Sequence, residues 1–266
     1  MGSIVSGFYA KKQLLSKDKL IAWSHRRRFE TGLEILRDLN PQHLLDYGSG
    51  DGTFLGMVSN QSWKPRASTG AELDPAVLAD CQKRFSGASG INFCLISDLA
   101  GGVHQAKFDT VVCMEVLEHV TDLASVLGQI DDVLAPGGRI AISVPVETGL
   151  PVFVKQTVRR VAGWRGIGDY KFTSSYTAGE LLRSLFAGPA QHIVRPLYKQ
   201  PDDLTFYDHK GFNWRYLKTL LEQRFRIDRV VASPVAGLGP QLASQVWFVG
   251  EKKAGESVRA TAIGGS

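Results

Sequence analysis

The chain is poor in cysteine. Its three, Cys81, Cys94 and Cys113, stand far apart and form no C-x-x-C pair. That pattern excludes a disulfide framework and a zinc–cysteine site, and it suits a reducing compartment. No apolar run approaches the roughly 18 residues that a membrane-spanning helix needs. The first 25 residues hold no continuous apolar stretch ahead of a small-residue cleavage site, so a secretory signal is not expected. Internal repeats and low-complexity tracts are missing, and the 28 glycines follow no collagen-like period. What remains is a soluble globular chain of 266 residues, expected in the cytoplasm. Its length fits one large domain or two small ones.

Charge is unevenly spread. The net charge is +5, but residues 1–40 carry +4, residues 41–146 carry −6 and residues 147–266 carry +7. Basic flanks around an acidic middle permit an anionic partner, whether nucleic acid, phosphate ester or membrane surface. They are equally compatible with a merely solvated basic surface.

The hydrophobic pattern predicts a helix over 14–39, stopped by Asn40-Pro41. A short apolar strand at 43–47 follows, then the turn Gly48-Ser49-Gly50-Asp51-Gly52, which opens a helix at Thr53. Further strands are expected to end near Glu72 and to cover 91–96, 108–114 and 139–145, with helices over 75–85 and 122–134. The last of these helices ends at the Pro136-Gly137-Gly138 breaker. Strands alternating with helices imply right-handed crossovers and a mainly parallel sheet. From 147 to about 210 the alternation stops. It resumes with a helix near 213–224 and two strands, 225–231 and 245–249, that read as a closing antiparallel pair. The expected organisation is therefore an N-terminal helical segment (1–40), an α/β core (41–146), a cap insertion (147–212), the closing helix and strands (213–251), and a disordered tail (252–266).

The glycine turn stands where an α/β sheet binds nucleotides, at the carboxyl end of its first strand. Acidic residues follow at strand ends: Asp46 after the first, Glu72 after the second, Asp98 after the third. A carboxylate after the second strand can accept hydrogen bonds from both hydroxyls of a ribose. The spacing G-x-G-x-G differs from the dinucleotide fingerprint, which wants its third glycine where Thr53 stands.

Four segments, LLDYGSGDGTFL (44–55), GAELDP (70–75), FDTVVCMEVLEHV (108–120) and LAPGGRIAISVP (134–145), resemble the successive signature motifs of class I S-adenosylmethionine-dependent methyltransferases. The resemblance runs in order over roughly 40–145. It implies a doubly wound, seven-stranded, mainly parallel sheet of the Rossmann-like methyltransferase fold with an inserted cap, and S-adenosyl-L-methionine as cofactor. By the same resemblance Gly48 and Gly50 would back the methionine part of the cofactor, and Asp46 is expected among the cofactor-binding residues. Glu72 would hold the ribose hydroxyls and Asp98 the adenine amino group, while Met114 would lie at the reaction centre.

Glu115, Glu118 and His119 mark the exit of the fourth strand. If that segment is helical, the spacing i, i+3, i+4 puts all three on one face. They could then hold a divalent metal, or Glu118 and His119 could simply pair and fix the loop. E-x-x-E-H at this position is similar to ubiquinone-type O-methyltransferases and to small-RNA 3′-terminal 2′-O-methyltransferases. Resemblance to the latter implies a metal held with one further histidine downstream. Asp208–Trp214 resembles that downstream segment and nominates His209 as fourth ligand, but it carries an inserted Gly211, and Asn213 where the RNA enzymes tend to be acidic. Two imidazoles favour manganese, cobalt or iron over magnesium. Such an ion would lower the pKa of a substrate hydroxyl and fix its line of attack. Without one, His119 is the candidate general base, and Glu118 is named with it as catalytic.

Three segments bear on the acceptor. Residues 153–165 alternate apolar and basic side chains, which suits a lid helix or peripheral membrane contact. Arg26, Arg27 and Arg28 point three ways around a helix, so a solvated face is expected. Tyr170, Phe172, Tyr176, Tyr198, Phe206 and Tyr207 either line an acceptor pocket or form the core of the cap. The expected activity is O-methylation of a glycan, lipid-linked or quinol-type small molecule. RNA is disfavoured because the middle of the chain is acidic. A non-catalytic nucleic-acid-binding protein retaining the fold is the opposing reading, and a dehydrogenase is disfavoured by the glycine spacing.

Overall fold

The computed structural model describes residues 7, 10–11, 19–153, 156, 176–199, 205–235, 237 and 239–254. The expectations for 14–18, for Lys155, Arg159, Arg160 and the rest of 157–165, for Tyr170 and Phe172, and for the tail from 255 fall outside these residues.

Helix α1 (Lys19–Leu39) leads into β1 (His43–Tyr47), α2 (Thr53–Ser59), β2 (Ala67–Glu72), α3 (Pro75–Arg84) and β3 (Ile91–Leu95). After β3 come β4 (Phe108–Met114), α4 (Leu123–Val133) and β5 (Leu134–Pro145). The cap region supplies α5 (Ala178–Leu185), β6 (Leu197–Lys199) and β7 (Thr205–Tyr207). Helix α6 (Trp214–Arg224), β8 (Phe225–Ser233) and β9 (Gln245–Lys252) close the fold. The seven-stranded sheet has the order β3-β2-β1-β4-β5-β9-β8. Strands β1 to β5 are parallel, and β9 enters antiparallel between β5 and β8. The expected seven-stranded, mainly parallel sheet is therefore present. Because β2 and β3 lie on one side of β1 while β4 and β5 lie on the other, the chains leaving β1 and β4 diverge. That divergence opens a crevice at the carboxyl ends of the strands.

Successive strand residues face opposite sides of the sheet, and the sequence supplies apolar residues for both. Leu45, Val111, Ile140 and Ile142 pack with Leu127 and Ile130 of α4 and Leu217 and Leu221 of α6. Their neighbours Leu44, Val112 and Ala141 pack on the other face with Phe29 and Leu36 of α1, Phe54 of α2 and Trp247 of β9. Burial on both faces is why these strands read as continuous apolar runs rather than as an alternating pattern.

Three expectations need correction. Strand β5 begins at Leu134, which pairs with Phe108, and pairing resumes at Thr110–Arg139. Pro136-Gly137-Gly138 is therefore a bulge within the strand, not a breaker before it. Second, the cap region is not without regular structure. Thr177 and Glu180 form a capping box at the start of α5, with Glu180 N donating to Thr177 Oγ1 at 3.3 Å and Thr177 N to Glu180 Oε2 at 2.8 Å. The T-A-G-E sequence carries that signal. Third, β9 runs through Lys252, past the expected start of the tail. Among the described residues no helix is long and apolar enough to cross a membrane.

Candidate active site

Strand β1 delivers Asp46 to one wall of the crevice, buried at 1% exposure, with Oδ2 lacking any hydrogen-bond partner. Burial, with the nearby Glu72 charge second, raises its carboxyl to about 8. The chain then turns at Gly48, φ +75°, where a Cβ would lie 2.4 Å from Val116 Cγ2. Glycine is required there twice over, for the left-handed backbone and for the close approach of the loop after β4. The glycine turn and the E-x-x-E-H segment are thus in contact.

Glu72 ends β2 and grips the turn. Gly50 N donates to its Oε2 at 2.7 Å, while Leu73 N and Asp74 N donate to Oε1 at 2.8 and 3.2 Å. Asp98 is exposed after β3, and its Oδ2 accepts from Leu95 N at 3.0 Å. Met114 ends β4, half-buried against the face that holds Phe29 and Phe54. Asp51, for which sequence reasoning gave no role, accepts from Thr53 N at 3.1 Å and from Ala10 N at 3.4 Å, so it ties Ala10 to the glycine turn.

The exit of β4 departs from expectation. Residues 115–119 are not helical. Glu115 takes φ +54°, and His119 N bonds Val116 O at 2.9 Å in a tight turn. Glu115 is therefore aimed away from a shared face. Its Oε2 lies 3.4 Å from Arg28 Nη1, and its Oε1 accepts from Ser143 Oγ at 3.2 Å. Arg28, expected on a solvated face, is 8% exposed. Of its neighbours, Arg26 is exposed and Arg27 pairs with Glu30 at 2.6 Å.

Glu118, His119 and His209 do come together. One ligand atom from each lies within 4.8 Å of the others, and Glu115 stands outside the group. Glu118 Oε1 is 3.9 Å from His119 Nε2 and 3.6 Å from His209 Nδ1. Glu118 is fully buried, neither of its oxygens has a hydrogen-bond partner, and His209 Nδ1 is likewise buried and unpartnered. Burial and the Glu115 charge push the Glu118 carboxyl well above its ordinary range, while burial and His119 lower the His209 imidazole. Such orphaned donor atoms fit a bound cation, which would satisfy them all.

The second histidine arrives with the β6–β7 hairpin. Tyr207 N bonds His119 O at 3.0 Å, and His119 Nδ1 lies 2.8 Å from Tyr207 O. A carbonyl can only accept, so Nδ1 carries the proton and Nε2 is left with a lone pair toward Glu118. Arg195 braces the junction. It donates to the Glu118 and Asp208 carbonyls, and its guanidinium lies over the Tyr207 and Phe212 rings at 4.3 and 5.1 Å. Burial lowers its pKa to about 10. Arg195 does not stand out in the sequence, because a lone arginine carries no local pattern, and Arg28 is hidden there within a run of three that reads as a solvated face.

A methyltransferase-domain family model matches residues 22–187. An uncharacterized methyltransferase of Mycobacterium tuberculosis is 28% identical over 120 residues, 45% of this chain and 59% of that protein. A ubiquinone biosynthesis O-methyltransferase of Bradyrhizobium is 27% identical over 167 residues, 60% of this chain and 62% of that one. The chain thus spans about three fifths of the length of these relatives. Among solved structures, a Pyrococcus horikoshii protein superposes with TM-score 0.57 at 13% identity, covering 92% of this chain and 96% of its own. The methyltransferase domain of bacterial CtHen1 gives 0.54 at 15% identity, covering 85% and 98%. At such identities the likeness is one of fold.

Proposed function

The chain belongs to the methyltransferase-domain family, and from that premise we propose that it is an S-adenosylmethionine-dependent, metal-assisted O-methyltransferase. Its acceptor is a hydroxyl of a quinol-type, glycan or lipid-linked small molecule. The observation that carries the reading is the group Glu118–His119–His209, with its unpartnered buried donors, beside the glycine turn.

Asp46, Gly48 and Gly50 would take the methionine part of the cofactor, with Met114 beside the methyl group. The unpartnered Asp46 oxygen suits a cationic centre. Glu72 would hold the ribose hydroxyls. Its two oxygens already serve three backbone N–H groups, which leaves about one of a carboxylate's roughly four acceptor sites, so a second hydroxyl would share an oxygen with a backbone N–H. Asp98 would take the adenine amino group. The bound cofactor supplies an electrophilic methyl on a sulfonium.

Glu118, His119 and His209 would hold a divalent ion, and two imidazoles with a carboxylate suit manganese, cobalt or iron better than magnesium. That ion would supply Lewis acidity toward a substrate hydroxyl. With the ion bound, His119 Nε2, the nitrogen that keeps a lone pair, would be taken up as a ligand; without the ion, the same lone pair is placed to accept the hydroxyl's proton. Glu115, expected as a ligand, is instead assigned to bracing the turn through Arg28 and Ser143.

The approach of His209 to Glu118 also supports a second reading, methylation at an RNA 3′-terminal 2′-hydroxyl, whose vicinal diol offers the same two oxygens. Methyl-labelled cofactor incubated with single-stranded RNA, intact or with its terminal diol oxidised, separates the two.

Calorimetry tests the main reading. S-adenosylhomocysteine should bind, and Glu72→Ala should weaken it at least about tenfold, the loss of charge-assisted hydrogen bonds. Chelators should suppress turnover and leave that affinity unchanged. NAD binding without an S-adenosylhomocysteine signal sinks the cofactor assignment, and turnover indifferent to chelation sinks the metal.

A further inference from the structure

The β6–β7 hairpin does more than deliver His209. Tyr198 and Phe206 are cross-strand partners whose rings stack at 6.0 Å and 25°. Phe206 in turn lies edge-on to His119 at 6.2 Å and 71°, and His119 lies 4.5 Å from His209. A line of rings therefore runs from the surface to the candidate metal ligands. Its outer member, Tyr198, is 42% exposed, and its strand neighbour Leu197 is 57% exposed.

Among the other described aromatics of the cap, Tyr207, Tyr176 and Phe212 have structural duties, while Phe153 and Phe186 are exposed. Tyr207 faces the opposite side of its strand, under the Arg195 guanidinium. The Tyr176 hydroxyl accepts from Gly211 N at 2.9 Å, and its ring lies 5.3 Å from Lys210 Nζ. Phe212 is buried at 3% exposure. The paired hydrogen bonds between Tyr207 and His119 fix β7 to the turn, so the position of Phe206 relative to His119 is set by backbone.

We infer that Tyr198 and Phe206 form a platform that selects a flat, hydroxylated aromatic ring as methyl acceptor. The inference rests on the O-methyltransferase reading above and narrows its substrate class. Phe206 touches His119 itself, so the ring that bears the reacting hydroxyl, rather than a group linked to it, is what reaches the platform. A nucleobase would stand one ribose further out. Offset or edge-on contact of an aromatic acceptor with Phe206 supplies an attraction that a saturated ring cannot match.

The test is titration of the full chain, saturated with S-adenosylhomocysteine and Mn²⁺ under nitrogen, with 4-methylcatechol and with cis-1,2-cyclohexanediol. The two share a vicinal diol and a six-membered ring; they differ in aromaticity and also in hydroxyl acidity, so the platform's share of the preference is the part that the leucine variants remove. Catechol should bind about tenfold tighter. Phe206→Leu and Tyr198→Leu should each weaken it about three- to tenfold, the range of one aromatic contact, with S-adenosylhomocysteine and cyclohexanediol affinities unchanged. Phe206→Tyr should restore it. Equal affinity for the two diols, or an undiminished preference in both leucine variants, overturns the platform alone. Displacement of catechol by a single-stranded RNA 3′ end whose own affinity falls in the same variants also overturns it, in favour of a nucleobase. An unaltered chain that fails to bind S-adenosylhomocysteine overturns the parent reading, and the platform with it.

Discussion

Asp46 shows how much a single residue can owe to its surroundings. Its carboxyl is raised from 3.8 to about 8 by burial and then by Glu72. A folded pKa above the unfolded one means that the native state holds the proton more tightly. The contribution to stability is therefore fully present below about pH 4 and is lost as pH rises through about 8. Asp46→Asn preserves the shape and cannot ionise. Urea denaturation at pH 5, 7 and 9 should find the variant gaining on the parent as pH rises, most clearly at pH 9. A difference between the two that ignores pH would show that another group titrates. Glu180 is the opposite case. Hydrogen bonds from Lys210 and then Thr177 hold it at about 2, but it lies at the surface, where solvent screening leaves such pairs little weight.

At the scale of an element, helix α6 explains a departure from the resembled motif. Asn213, where an acidic residue is usual, is its N-cap. Oδ1 accepts from Arg215 N at 3.1 Å and Tyr216 N at 3.4 Å, while Nδ2 donates to Gly188 O at 2.9 Å and Gln191 O at 2.8 Å. A carboxylate could do the first job and not the second. Asn213→Ala should cost about 1 kcal/mol for the cap and about 1 kcal/mol more for the hydrogen bonds lost to the half-buried Gly188 and the exposed Gln191 carbonyls. Asn213→Asp should retain the cap, lose the second part and set a carboxylate oxygen against the two carbonyls. Thermal unfolding of both variants checks the split, and an aspartate variant as stable as the parent would refute it. Gly211, the other departure, holds φ +73° and lets its N–H reach Tyr176, which ties the His209 loop to the residue ahead of α5.

At the scale of the whole molecule, stability should concentrate where the last strand closes the sheet. Trp247 on β9 is fully buried, and α1 approaches so closely that a Cβ on Gly32 would sit 2.9 Å from its ring. Trp247→Ala should therefore cost about 3–5 kcal/mol. Its Nε1 is a buried donor without a partner, so Trp247→Phe should cost clearly less, since it removes an unsatisfied group along with some volume. Urea midpoints of the two variants measure this. Similar losses for both would mean that the indole nitrogen is satisfied after all.

The sequence by itself determined the elements of the α/β core and the glycine-turn side of the crevice. Apolar runs with glycine and proline punctuation are local signals, and strands buried on both faces, such as Val111-Val112 and Ile140-Ala141-Ile142, announce themselves. The glycine turn and Glu72 belong to adjacent parallel strands, so their meeting follows from the fold class alone. The side that carries Glu118 and His119 was decided by tertiary structure. Glu115 left the expected ligand group because its left-handed backbone and the buried Arg28 redirect it, and neither leaves a trace in residue spacing. His209 reaches Glu118 across 91 positions of chain through a three-residue hairpin strand and the Arg195 brace. Spacing encodes what lies within a turn or two of helix. Contacts between remote segments depend on where the sheet order sends each loop, and that is fixed only when the whole chain has packed.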